Sequence, residues 1–309
     1  MRALVAAAVL LAAQGAMPAA AQDRMTQEIC TQSWTATEGL LGLPAADPGI
    51  TVDEAGWCAL ADAALNWETG QDLRLRSLRW RASDVARFVN DGLPPRTLEI
   101  EAAGIAILPQ TGDAVLDYVF GVQSLGSPLG LRLSARWDGV QNSVIIDTAE
   151  VTFDAENRIA VTARIDGVNL TDRAMMQASA GTAGLSELTV RSTFAGWFEE
   201  VALMPLAAGL LRADGTPPEG QVEALKLQAV ALLDKMPADV LPSPSRDALA
   251  AFVQTLPTPR GSAQLQINAR PAFGAERAMP FAAAQGLPEA EALEGLSVLF
   301  TWAPKEPAK

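Results

Sequence analysis

Apolar and polar positions alternate one by one through much of the segment 50–194. In LRLSARWDG, Leu131, Leu133, Ala135 and Trp137 fall on one face and Arg132, Ser134 and Arg136 on the other; Asp138-Gly139 then supplies a turn. Val151 and Phe153 alternate with Thr152 and Asp154. After the turn Asp154-Ala155-Glu156-Asn157, the residues Ile159, Val161, Ala163 and Ile165 alternate with Ala160, Thr162, Arg164 and Asp166. One-sided strands in succession predict an antiparallel sheet with an apolar face that must be covered. In DLRLRSLRWR the apolar phase shifts around Ser77, and in TLEIEAAGIAIL it slips around Gly104, so a bulge or bend is expected at each place. Between them SDVARFVNDGLPP reads as a short helix capped by Ser83 or Asp84, with Val85, Phe88 and Val89 inward and Gly92 ending it.

The period lengthens after residue 194. Phe194, Trp197, Phe198 and Val201 stand at i, i+3, i+4 and i+7, so FAGWFEEVALMPLAAGLL reads as an amphipathic helix laid on the core and kinked or ended by Pro205. GQVEALKLQAVALLDKM and SRDALAAFVQTL repeat the helical stripe, through Val222, Leu225 and Leu232 and through Leu249, Phe252 and Val253. GSAQLQINA and LSVLFTW return to alternation. Striped helices need a surface to cover and the sheet needs a cover. The expected fold is therefore α+β, a curved antiparallel β-sheet covered by amphipathic helices. Its expected parts are a leader (1–21), an N-terminal helical segment (22–49), an antiparallel β-rich region (50–194) and a mostly helical region with two late strands packing on the sheet (195–309). LRSLRWR (75–81) and LSELTVR (185–191) share Leu, x, x, Leu, x, apolar, Arg, an echo that a duplicated strand-then-helix unit or chance would produce.

The N-terminus adds a compartment. Arg2 precedes an apolar run from Ala3 to Ala13 and the triplet Ala19, Ala20, Ala21, which predicts a secretory signal peptide cleaved after Ala21. The run is too short to stay as an anchor, and no later segment is a membrane span, because Glu199, Glu200 and Pro205 interrupt the longest one. A leader of this kind on an alanine-rich chain implies the periplasm. There the two cysteines, Cys30 and Cys58, are expected to form a disulfide. It would pin the first helical segment to the first strand and stabilise the fold by about 3 kcal/mol.

Charge and residue types then narrow the chemistry. The formal net charge is −13, one unit more negative without Arg2, which disfavours nucleic acid and anionic membrane surfaces as partners. The chain has no histidine, so His-based triads, metal sites and pH switches have no ligand or base to use. No G-x-G-x-x-G, no Gly-Lys and no G-x-S-x-G motif occurs. Glu199 and Glu200 are neighbours on a helix, about 100° apart, and do not converge as an acid–base pair. Arg74, Arg76, Arg79 and Arg81 face Glu99 and Glu101 across a strand pattern, as a solvated charge ladder or as a cradle for an anionic headgroup. The expectation is a non-catalytic protein without metal or cofactor.

A leader, an early cysteine pair, antiparallel strands bearing the Leu-x-x-Leu echo, and a strand running into Gly196-Trp197-Phe198 together resemble envelope proteins of alphaproteobacteria, and the β-rich body resembles the AsmA-like group. The resemblance is one of organisation over most of the mature chain and rests on no diagnostic motif. The chain departs from that group in lacking its usual transmembrane anchor. It implies a curved sheet with an apolar groove linked to lipid handling, and it carries over no site residues. The expected function is a periplasmic non-catalytic binding or carrier protein for a lipid-like or other apolar ligand, with Trp80, Trp137, Phe153 and Phe198 as groove residues. The alternative is an envelope structural or interaction protein with a fully packed core, a protein partner and no ligand.

Overall fold

The alternation is realised as ten antiparallel strands joined in chain order into one open, curved sheet. The structure, a computed structural model, describes residues 24–42, 49–67, 71–126, 128–213, 215–278 and 293–305. The expected leader and its cleavage point lie outside the described residues. Helix α1 (Gln27–Leu41) comes first, its amino end capped by the Thr26 hydroxyl, which accepts from Ile29 N–H, and its carboxyl end closed by left-handed Gly42. Strands β1 (Thr51–Val52), β2 (Cys58–Trp67) and β3 (Gln71–Ser83) follow. A π-helical turn (Arg87–Asp91), ended by Gly92 with φ 63°, leads to β4 (Thr97–Pro109). The expected side-chain cap is not made there: Asp84 instead accepts through its backbone carbonyl from Arg87 N–H at 3.3 Å.

Helix α2 (Ala114–Gly126) connects β4 to β5 (Leu129–Asp138), and β6 (Ser143–Thr152) and β7 (Arg158–Asp166) follow through short turns. Helix α3 (Arg173–Ser179), capped by the Asp172 carboxylate, leads to β8 (Gly184–Phe194). A second π-helical turn (Phe198–Ala202) then precedes α4 (Leu203–Leu210), α5 (Pro218–Leu233) and α6 (Ser243–Thr255). Strands β9 (Gly261–Gly274) and β10 (Leu296–Pro304) complete the sheet. Both strands of the sequence echo, β3 and β8, run into a π-helical turn.

The two phase slips turn out to be one feature. Asp62 stands opposite Arg76, and Arg76 opposite Gly104, and the ladder skips at this row on both sides. Asp62 has φ 49° and Gly104 φ 69°, and the register against β5 shifts between Ala103 and Ile105. The row is a transverse bend through three strands, which explains why the apolar phase changes in neighbouring segments at matching positions. A Cβ at Gly104 would also collide with the Cβ of Arg76. Gly104→Ala is therefore expected to lower stability by about 2 kcal/mol, read as a lower urea midpoint.

Burial is concentrated at the two ends of the strand order. Under α1, Met25, Cys30, Trp34, Ile50, Cys58, Leu60 and Trp80 form one core. At the other end Phe194 packs against Trp197, Phe252 and Trp302 at centroid distances of 5.2, 5.4 and 5.8 Å. Between them no residue of β5 or β7 is fully buried, and the apolar face through Leu131, Leu133, Val151, Ile159 and Val161 is half-buried. Among the described residues no helix forms a packed layer on β5, β6 or β7. The sheet edges differ as well. Val298 N–H donates to Val240 O at 2.7 Å and Phe300 N–H to Ser245 Oγ at 3.0 Å, so the outer edge of β10 is covered. At the opposite edge β1 pairs only with Cys58 and Ala59 of β2, and among the described residues no strand lies beyond the rest of β2.

Candidate functional site

Cys30, Trp34 and Glu38 stand at successive helical turns of α1, which puts them on the face turned to the sheet. The Cys30–Cys58 disulfide joins that face to the first residue of β2, and both cysteines are fully buried. Trp34 Nε1–H donates to the Glu38 carboxylate at 2.7 Å, and Trp80 on β3 donates to Ser33 Oγ at 3.1 Å. The two indole rings lie 5.9 Å apart. These contacts hold one edge of α1 against the sheet while its other edge stands away from it.

The space left is a cleft of about 790 Å³. Trp34, Ala36 and Thr37 line it from α1, Leu78, Trp80 and Ile100 from the sheet, and Phe88 and Val89 from the crossover after β3. Met176 of α3 closes one side, and Arg173 stands at the rim. The Arg173 guanidinium donates to Asp91 O at 2.8 Å and takes the space that a Cβ on Gly92 would need, 2.8 Å from Nη2. Gly92 thus serves twice, in ending the π-helical turn with positive φ and in seating a cation beside an apolar cleft. A comparison with known families finds no family model that matches the chain, and a comparison with curated proteins finds no match. The reading of the cleft therefore rests on its own chemistry.

The four aromatics expected to share a groove sit in three environments. Trp80 lines the cleft. Trp137 lies under the guanidinium groups of Arg87 and Arg96, 5.1 and 5.7 Å from its ring, and donates to Val168 O at 3.0 Å. Phe153 and Phe198 both contact Trp197, stacked at 5.3 Å and edge-on at 5.9 Å, in the aromatic cluster at the far end. Phe198 also lines a second groove, of about 360 Å³, between α4, α5 and α6, together with Leu206, Leu225, Leu232 and Val253. The run from Phe194 to Leu211 differs from the single helix its spacing implies. Phe194 is the last residue of β8, and the helix begins only at Trp197: its π-helical turn runs without a break into α4, with Pro205 inside the continuous helical segment.

The arginine ladder pairs across β3 and β4 in register. Arg79 bonds Glu101 through Nε at 2.7 Å, Arg81 bonds Glu99 at 2.8 Å, and Arg132 of β5 approaches Glu101 at 3.5 Å. Arg79 and Arg81 also stack on Trp57, at 4.7 and 4.6 Å. These exposed pairs contribute a few tenths of a kcal/mol each. Arg79 and Arg81 are thus engaged by carboxylates, while Arg74 stands opposite Ala106 and not a glutamate; the cation in the lining of the cleft is Arg173, from another part of the chain.

Trp34, Met176 and Arg173 are cleft residues that the pattern of the sequence does not single out. Trp34 had a signal, lying one helical turn from Cys30. Arg173 had none, because it reaches Asp91 across a sequence separation of 82 residues.

Proposed function

We propose that the protein is a periplasmic, non-catalytic binding or carrier protein for a lipid-like amphiphile, with the apolar chain in the cleft and an anionic head at Arg173. The observation that carries this reading is the apolar cleft of about 790 Å³ with few polar groups in its lining. Ligand sites commonly occupy roughly 300–1,000 Å³ and combine an apolar lining with a few orienting polar groups. Ser33, Thr37, Asn90 and Arg173 are the polar residues here. The half-buried apolar face continuing over β5–β7 is consistent with the AsmA-like resemblance, in which a curved sheet supports an apolar groove. The disulfide supports an oxidising compartment, and no described helix is long and apolar enough to cross a membrane.

Native mass spectrometry of the protein purified from its own source without detergent tests the reading. A discrete added mass that solvent extraction removes is the expected result. An apo mass unchanged after incubation with envelope lipids would overturn it and favour the packed interaction protein. Ala36 is half-buried on the α1 wall, so Ala36→Trp is expected to fill part of the cleft and reduce uptake of a long-chain fatty acid at least tenfold, with an unchanged circular dichroism spectrum. Arg173→Gln should weaken the fatty acid and leave a neutral monoacylglycerol unaffected, since only the former pairs with a guanidinium.

A further inference from the structure

In a meander the connections need only a few residues, and β5–β6 and β6–β7 are joined that way. The β4–β5 and β8–β9 connections are much longer and carry α2 and α4. Because strands alternate in direction, both leave the same end of the sheet, opposite to the end where the β3–β4 crossover and α3 frame the cleft.

Both helices are apolar and unburied. On α2, Val115, Leu116, Tyr118, Val119, Val122 and Leu125 are all exposed, Val115 and Tyr118 by more than 70%, and no residue of the helix is buried. At 100° per residue they fall within about half of the helix circumference, a broad apolar stripe, while Ser124 on the opposite side bonds Ile107 O of β4 at 2.8 Å, so the stripe is turned away from the strand it would ordinarily cover. On α4, Met204, Leu206 and Leu210 are exposed, Met204 by 81%. Segments 118–126 and 201–211 contain no charged residue, in a chain of net charge −13. The acids stand at the start of α2: Asp113, just before it, accepts from Val115 N–H at 2.8 Å, and Asp117 in its first turn accepts from Thr111 N–H and Oγ1 at 2.7 and 2.8 Å. The Thr111 backbone bond above all holds the Asp117 carboxyl below the usual range, so it stays charged and fixed at that turn.

We propose that this end of the sheet seats on an electrically neutral bilayer surface, with α2 and α4 lying in the interfacial layer. Two uncharged strips, on crossovers that leave the same end of the sheet four strands apart, suit a flat apolar medium that reaches both. Interfacial helices usually add Lys or Arg for anionic lipid; these have none, and the acidic chain is repelled by an anionic surface. Attachment is therefore apolar and insensitive to salt. The surface is separate from the cleft, and its test does not depend on the ligand reading.

Flotation of the mature protein with vesicles of phosphatidylcholine and phosphatidylethanolamine tests the proposal. Co-flotation that persists in 0.5 M NaCl and falls severalfold when phosphatidylglycerol is added is expected. Val119→Asp combined with Val122→Asp should reduce it at least tenfold with an unchanged unfolding midpoint, and Met204→Asp alone should reduce it more modestly. No flotation overturns the proposal. So does a dimer in sedimentation that Val119→Asp with Val122→Asp dissociates and that fails to float, since the occupant of α2 is then a second copy. Flotation abolished by salt would also overturn it, by showing a charge-driven contact.

Discussion

Trp80→Ala is expected to lower stability by about 3–5 kcal/mol, the range for emptying a buried tryptophan site. Trp80 is 8% exposed, lies 5.9 Å from Trp34 and joins β3 to α1 through Ser33. Ser33 Oγ in turn donates to Cys30 O at 2.9 Å, so the loss also unties the hydrogen-bond chain beside the disulfide. Trp80→Phe keeps most of the apolar area and removes only the indole donor, and should cost about 1 kcal/mol. Urea unfolding of both variants separates the two contributions. Equal midpoints for the two would show that the Ser33 bond, and not ring packing, dominates.

Reduction, or Cys30→Ser with Cys58→Ser, is expected to cost about 3 kcal/mol, because an unfolded chain freed from a loop of 28 residues gains that much entropy. The effect is also local. The bond is the covalent tie between α1 and the sheet, and α1 is one wall of the cleft, so on the proposed carrier reading reduced protein should lose fatty-acid uptake in urea concentrations that the oxidised protein tolerates. Amide exchange in α1 should quicken by one to two orders of magnitude while β5–β9 change little. A reduced protein with an unshifted midpoint would show that Trp34 and Met25 hold the helix unaided.

Much of this was legible in the sequence because it follows from short-range periodicity. The faces of β5 and β7, the two late strands, the stripes of α5 and α6 and the bends near Ser77 and Gly104 are all written in local spacing. The pairing of Cys30 with Cys58 was readable because no other cysteine competes. What stayed hidden depends on contacts distant in the chain. Trp57 sits in a turn, and nothing nearby shows that two guanidinium groups cover it. Helix α3 has seven residues, too few to display a period. The spacing of Phe194, Trp197, Phe198 and Val201 is shared by a helix and by a strand end followed by a π-helical turn. Exposure was the least legible of all: α2 and α4 have the composition of core helices, and only the path of the chain leaves them outside. The four aromatics chosen for one groove were separated for the same reason, since alternation assigns a face but not a position along the curvature of the sheet.

The unequal edges of the sheet limit how copies of this protein can associate. The backbone donors of Val298 and Phe300 on β10 are occupied by Val240 and Ser245, while among the described residues no strand lies beyond β2 after Ala59, where Asp62 marks its bend. A sheet open at both margins can add copies without end, which is the geometry of a fibre. A sheet open at one margin can join only another open margin, and the union leaves two closed ones. Strand-to-strand association through the described margins of the sheet thus ends at a pair.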